Sequence, residues 1–150
     1  MDSAITSKIL FEIGQIDRLL SESSPLVNLC KVKEPDYVEK CGGAMILHSF
    51  YNGIESILLL ITKNKDVTVP KGVGWHKELL DSAFENTENR TRIFREELRD
   101  PLMDYLKFRH FIRHSYGFQL KWEDMKDKLL GMDTVWQKVK EDVKMFVENN

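Results

Sequence analysis

The sequence predicts an all-α fold, and three observations carry that prediction. Apolar residues recur every three or four positions along most of the 150 residues, the spacing of a helix face rather than of a strand. Start signals stand where these stripes begin. Glycine and proline, 8 and 4, are too few for a collagen-like or low-complexity chain. With 42% hydrophobic residues, the chain can bury a core, and no linker or repeat divides it. The expected architecture is one domain over residues 1–150, an up-and-down bundle of about five helices.

The first stripe is Ile5, Ile9, Ile13, Ile16 and Leu20, and Ser23-Ser24-Pro25 is expected to end that helix. A second helix is expected from Asp36, an N-cap with Glu39 three residues on, through Leu47, Phe50, Tyr51, Ile54, Leu58 and Ile61. Gly42-Gly43 within it read either as a weak start or as close approach by another helix. From Lys63 to Gly74 the period stops; Val67 to Pro70 suits a short extended piece and Lys71 to Gly74 a turn. Trp75, Leu79, Leu80 and Phe84 line a short third helix, and Asn86 to Arg92 is a polar loop. After a helical turn or two from Ile93 to Arg99, Asp100-Pro101 reads as an N-cap with proline at the first helical position. That helix carries Leu102, Tyr105, Leu106, Phe108 and Ile112 and is expected to stop at Gly117. A last helical region from Trp122 to about Val147 is open to interruption at Gly131 and a restart at Asp133.

Composition removes several function classes. Disorder does not fit the abundance of aliphatic and aromatic residues. Two cysteines, Cys30 and Cys41, do not make a disulfide scaffold. The longest apolar run, Ile57 to Ile61, falls well short of the ~18 residues of a membrane span, so no membrane partner is expected. Free cysteines and an N-terminus without a signal pattern point to the cytoplasm. The net charge of −2 argues against coating nucleic acid by charge alone. It divides unevenly, however. Thr87 to Lys121 holds eight Lys or Arg against five Asp or Glu, a local +3, leaving −5 for the remainder. Such an island suits an RNA strand, an acidic partner or a solvated face.

The densest polar cluster lies inside that island. Arg109, His110, Arg113, His114 and Tyr116 fall within eight residues at one helix end. A guanidinium fork matches a phosphate, and imidazole moves protons near neutral pH, a pairing suited to phosphodiester cleavage without a metal or cofactor. The same residues also read as an exposed helix end whose cations suit the dipole. Five positions separate Arg109 and His114 by roughly 140° on an ideal helix. His110 and His114 sit one turn apart, but no acidic or cysteine ligand joins them, so no metal site is expected. His48 and His76 read as packing histidines.

Arg109-x4-His114-x-Tyr116 is similar to the Arg-x4-His-x-Tyr motif of HepT-like toxins in the HEPN superfamily. The flanking Tyr105-Leu106-x-Phe108-Arg109-His110 and Tyr116-Gly117-Phe118-x-Leu120 resemble the same family. So do Phe50-Tyr51-x-Gly53-Ile54-Glu55 and Trp75-His76-x-x-Leu79-Leu80. The resemblance runs from about residue 45 to the C-terminal helix. It implies a HEPN-like helical bundle and a metal-independent endoribonuclease whose cleft lies between two copies of the chain. It casts Arg109 on the RNA phosphate and His114 as general acid or base. His110, Glu55 and Arg113 take supporting places, Glu55 either orienting the Arg or His across the cleft or standing as a buried carboxylate paired with Arg109 or Arg113. Tyr116 would be the site at which a minimal nucleotidyltransferase antitoxin adds AMP, silencing the enzyme. The alternative is a non-catalytic HEPN module that binds nucleotides or accompanies a nucleotidyltransferase.

Overall fold

The computed structural model describes residues 1–66 and 68–150, and every regular element among them is helical. Six α-helices follow one another: α1 (Ser3–Val32), α2 (Tyr37–Lys65), α3 (Trp75–Ser82), α4 (Arg99–Arg113), α5 (Trp122–Leu130) and α6 (Met132–Asn149). Single 3-10 turns at Glu96–Leu98 and Gly117–Gln119 flank α4. The all-α bundle expected from periodicity is present, with one helix more than the expected five because Gly131 separates α5 from α6. A Cβ at Gly131 would lie 2.8 Å from the Asp127 carbonyl oxygen, so the backbone at this break leaves little room for a side chain.

α2 is the axis of the bundle, packing against α1, α3, α4 and α5. Asp36 caps it as expected: its carboxylate accepts from Glu39 N, and the Glu39 carboxylate accepts from Asp36 N. Phe50, Tyr51, Ile54, Ile57, Leu58 and Ile61 are shut from solvent along its inner side. Phe50 meets Tyr105 of α4 and Trp136 of α6 edge-on, with ring centroids 5.1 and 6.3 Å away. α2 also corrects the membrane arithmetic. An 18-residue window within it averages 1.5 in hydropathy, long and apolar enough to cross a bilayer by composition, although no continuous apolar run is. Half of that window is buried within the protein, and Glu55 lies in the same helix.

α1 and α2 approach closely at Gly53. A Cβ there would stand 2.7 Å from Ile16 Cγ1 of α1. The Gly42-Gly43 pair is less demanding: Gly43 faces the flexible Met125 end at 3.1 Å, and Gly42 makes only ordinary contact with Leu26.

Three expected boundaries fail for identifiable reasons. α1 runs through Pro25 to Val32 instead of stopping. Proline has no N–H for the Ser21 carbonyl, but the Ser24 hydroxyl donates to that oxygen at 2.9 Å. Ser23 and Cys30 are buried beyond the expected stop, so packing carries the helix onward. α4 begins at Arg99 directly from the preceding 3-10 turn, with Leu98 rather than Asp100 at its cap. Pro101 is therefore in its third position, still among the first-turn residues whose N–H groups have no helical partner. α4 ends at Arg113, before Gly117. Gly117 instead opens the next turn under α2, where a Cβ would fall 2.6 Å from Tyr37 Oη and 3.1 Å from Cys41 Sγ.

Of the expected extended piece, Val67 lies outside the described residues, and Thr68 to Pro70 adopt no regular structure. Lys71 to Gly74 form the expected turn, with Gly72 and Gly74 at φ of 86° and 79°, where glycine alone is unstrained. The loop after α3 is tied down by Arg90. Its buried guanidinium grips both Asp66 carboxylate oxygens, at 2.8 and 3.1 Å, and the carbonyls of Ser82, Glu85 and Thr91.

Candidate functional site

α2 carries a polar stripe on an otherwise apolar helix. His48, Asn52 and Glu55 stand at helical spacing and face α4. Arg109 of α4 meets them from the other side. It is 4% exposed, with Nη1 donating to Asn52 Oδ1 at 2.6 Å and to Glu55 Oε1 at 3.1 Å. Its guanidinium carbon lies 5.3 Å from the centre of the Tyr51 ring. Burial pushes the Tyr51 phenol above its ordinary range, and the Glu55 charge adds to that. Glu55 is itself buried, so the reading of a buried carboxylate paired with Arg109 describes its place within one chain.

α3 closes the network with a residue that the sequence reading set aside as packing. His76 Nδ1 lies 2.8 Å from Glu55 Oε2 and 2.8 Å from Arg109 Nη2. One nitrogen cannot serve both. Protonated, it donates to the carboxylate; unprotonated, it accepts from the guanidinium. Trp75 stacks on the imidazole, ring centres 3.7 Å apart.

Asn52 transmits the constraint to His48. Its oxygen is taken by Arg109, so its amide nitrogen donates to His48 Nδ1 at 3.2 Å. That leaves the His48 proton on Nε2. Burial, with Arg109 and then Arg113 nearby, holds the His48 imidazole below its ordinary pKa and keeps it neutral. His48, Asn52 and His76 are the site residues missed from sequence. The polar stripe at positions 48, 52 and 55 in the most apolar helix was the available signal.

The rest of the cluster stands outside this network. His114 is the exposed C-cap of α4, and its ring centre is 4.6 Å from that of exposed His110. Arg113 is exposed and shares a groove of about 340 Å³ with Ala44, Met45, His48, Ile112 and Tyr116. Tyr116 is 73% exposed. No hydrogen bond joins Arg109 to His114 among the described residues. The structure thus gathers Arg109 with Glu55, His110 with His114, and Arg113 with Tyr116, in three adjoining places. Of the five N–H groups of a guanidinium, Arg109 has Nε without a partner and three contacts on the other nitrogens.

Half of the cations in the basic island are neutralised by ion pairs. Arg90 pairs with Asp66, Arg95 with Asp142 and Glu141, Arg99 with Glu96, and Arg109 with Glu55. Arg92, Lys107, Arg113 and Lys121 are exposed and in no ion pair among the described residues. No group of three or more His, Cys, Asp or Glu gathers as metal ligands would among those residues.

No curated protein and no solved structure matches this chain. A protein-family model described as "HepT-like protein" matches residues 43–150, a span holding nearly all of α2 and every later helix. α1 lies before that span yet packs its Ile9, Ile13 and Ile16 into the same core. The match covers more than half of the sequence and includes Glu55, His76, Arg109, His114 and Tyr116, and on it the chain belongs to the HepT-like family of the HEPN superfamily.

Proposed function

We propose that this protein is a metal-independent endoribonuclease toxin acting as a homodimer. The observation that carries the reading is α4 itself: an exposed His114 at its end, and five residues back an Arg109 held in place by Glu55, Asn52 and His76. In the proposed reaction an imidazole removes the proton of a ribose 2′-hydroxyl. The 2′-oxygen bonds to the adjacent phosphorus, and the bond to the 5′-oxygen breaks. A second imidazole returns a proton to that leaving oxygen. One His114 from each copy supplies the two roles. Arg109 stabilises charge on the phosphate, with His110 and Arg113 supporting at the cleft edge.

A cognate minimal nucleotidyltransferase is the proposed antitoxin, adding AMP to Tyr116. The exposure of this phenol supports that role. AMP there would bring phosphate against the cations intended for RNA. The setting is cytoplasmic.

The burial of Arg109 favours a second reading, a non-catalytic nucleotide-binding or nucleotidyltransferase-partner module, because its guanidinium is already engaged. RNA cleavage in EDTA by wild type and His114→Ala separates the two. The exposed position of His114 lets the variant fold, and loss of cleavage by it supports the nuclease. Absence of cleavage by wild type, or equal cleavage by both, removes it. Intact mass after co-expression with a candidate minimal nucleotidyltransferase tests the modification: a gain in multiples of AMP, absent in Tyr116→Phe.

A further inference from the structure

We propose that the turn after α4 is a seat for an unpaired nucleobase of the RNA strand. The inference rests on the nuclease reading for the polymer, and on geometry for the seat. Tyr116 and Phe118 lie parallel to within 5°, ring centres 5.4 Å apart, and each is 73% exposed. Packing within one chain does not account for two aromatic rings this exposed.

The backbone beneath them is ordered. Gln119 N donates to the Tyr116 carbonyl at 2.9 Å, and Gln119 Oε1 accepts from Tyr116 N at 2.8 Å. Gly117 packs closely under Tyr37 and Cys41 while its two aromatic neighbours face outward. The ring surface is thus built in advance of any ligand.

The surroundings select the occupant. Arg113 and Lys121, exposed and without ion-pair partners, flank the turn in sequence, and His110 and His114 stand just before it. Aromatic faces between cations suit a polyanion carrying stackable bases. The groove beside Tyr116, about 340 Å³, is within the ~300–1,000 Å³ range of small-ligand pockets. His48 adds specificity. With Nδ1 occupied by Asn52, its remaining proton is a neutral donor on the groove wall, matched to a ring-nitrogen or carbonyl acceptor on a base edge. A duplex keeps its bases stacked on one another and cannot offer such a face.

The test measures binding without cleavage. Full-length His114→Ala protein is titrated by fluorescence anisotropy with a labelled single-stranded oligoribonucleotide, the same strand carrying abasic sites, and the same strand annealed to its complement. The intact single strand is expected to bind about tenfold or more tighter than either of the others. Adding Phe118→Ala should remove that advantage and leave abasic binding unchanged. Equal affinity for intact and abasic strands overturns the seat, as does an unchanged single-strand affinity in Phe118→Ala. So does conversion of a dimer to monomer by Phe118→Ala in light scattering, which would make the rings a protein interface. If wild type fails to cleave RNA while the binding pattern holds, the nuclease reading falls and the seat stands.

Discussion

Arg109 and Arg113 are one turn apart on α4, and the protein treats them in opposite ways. Arg109 is buried against α2 and α3, its charge matched by Glu55 and its orientation fixed by Asn52 and His76. Arg113 is exposed, has no ion-pair partner among the described residues, and borders a groove. The difference shows a division of labour along one helix. The inward face is a polar joint holding three helices in register, and the outward end is left free to meet something else.

The comparison can be broken most forcefully at the joint. Glu55→Ala removes the carboxylate and leaves a guanidinium buried without compensation, a loss of about 3–5 kcal/mol in folding stability. Chemical denaturation of wild type and variant reads it directly, and an effect below about 1 kcal/mol would mean the pair is not a buried one. His76→Ala is expected to cost less, about 1.5–3 kcal/mol, because it deletes one hydrogen-bonding partner of a charged group and leaves the Arg109–Glu55 pair standing. A double-mutant cycle of His76→Ala with Glu55→Gln should show coupling, since the two side chains touch.

His48 sharpens the boundary between the two regions, being tied to the joint through Asn52 while lining the groove. Its imidazole is held below the ordinary value by burial, then by Arg109 and Arg113. As pH falls below the ordinary imidazole range, the unfolded chain takes up this proton more readily than the folded one. Stability from this group is therefore full above that range and declines on acidification. Replacing His48 by Asn should flatten that part of the stability–pH curve, read as Tm between pH 7 and 5. The smallest stability effect belongs to the exposed end: Arg113→Ala should change it by no more than about 0.5 kcal/mol. A larger loss would mean that Arg113 has a structural partner and that the contrast with Arg109 is false.

The fold was legible where local rules agree with packing. The apolar stripes place the helices, and Asp36 with Glu39 marks the start of α2 correctly. Pro25 misleads because the rule that proline ends a helix is local. The remedy, a hydroxyl from Ser24 for the stranded carbonyl and burial farther on, depends on the tertiary structure. Gly117 misleads in the same way: it reads as a helix stop but is required by the closeness of Tyr37 and Cys41. Within the site, Arg109 and Glu55 were visible as a charged pair separated by 54 positions in the chain, but only through resemblance. His76 was hidden because α3 is brought to α4 by a turn whose path no spacing reveals. The charge count misled most of all, since a sum over sequence cannot distinguish a paired arginine from an unpaired one.

That pairing has a consequence for how the protein would hold a polyanion. Affinity gained by displacing condensed counterions grows with the number of phosphates neutralised. With Arg90, Arg95, Arg99 and Arg109 already answered within the chain, the segment that reads as basic offers one protomer four uncommitted cations: Arg92, Lys107, Arg113 and Lys121. Even with all four engaged on a single strand, log affinity would fall against log salt with a slope of no more than about 3 per protomer. A strand held this lightly by charge exchanges quickly, and discrimination between one sequence and another then depends on the few side chains that touch its bases.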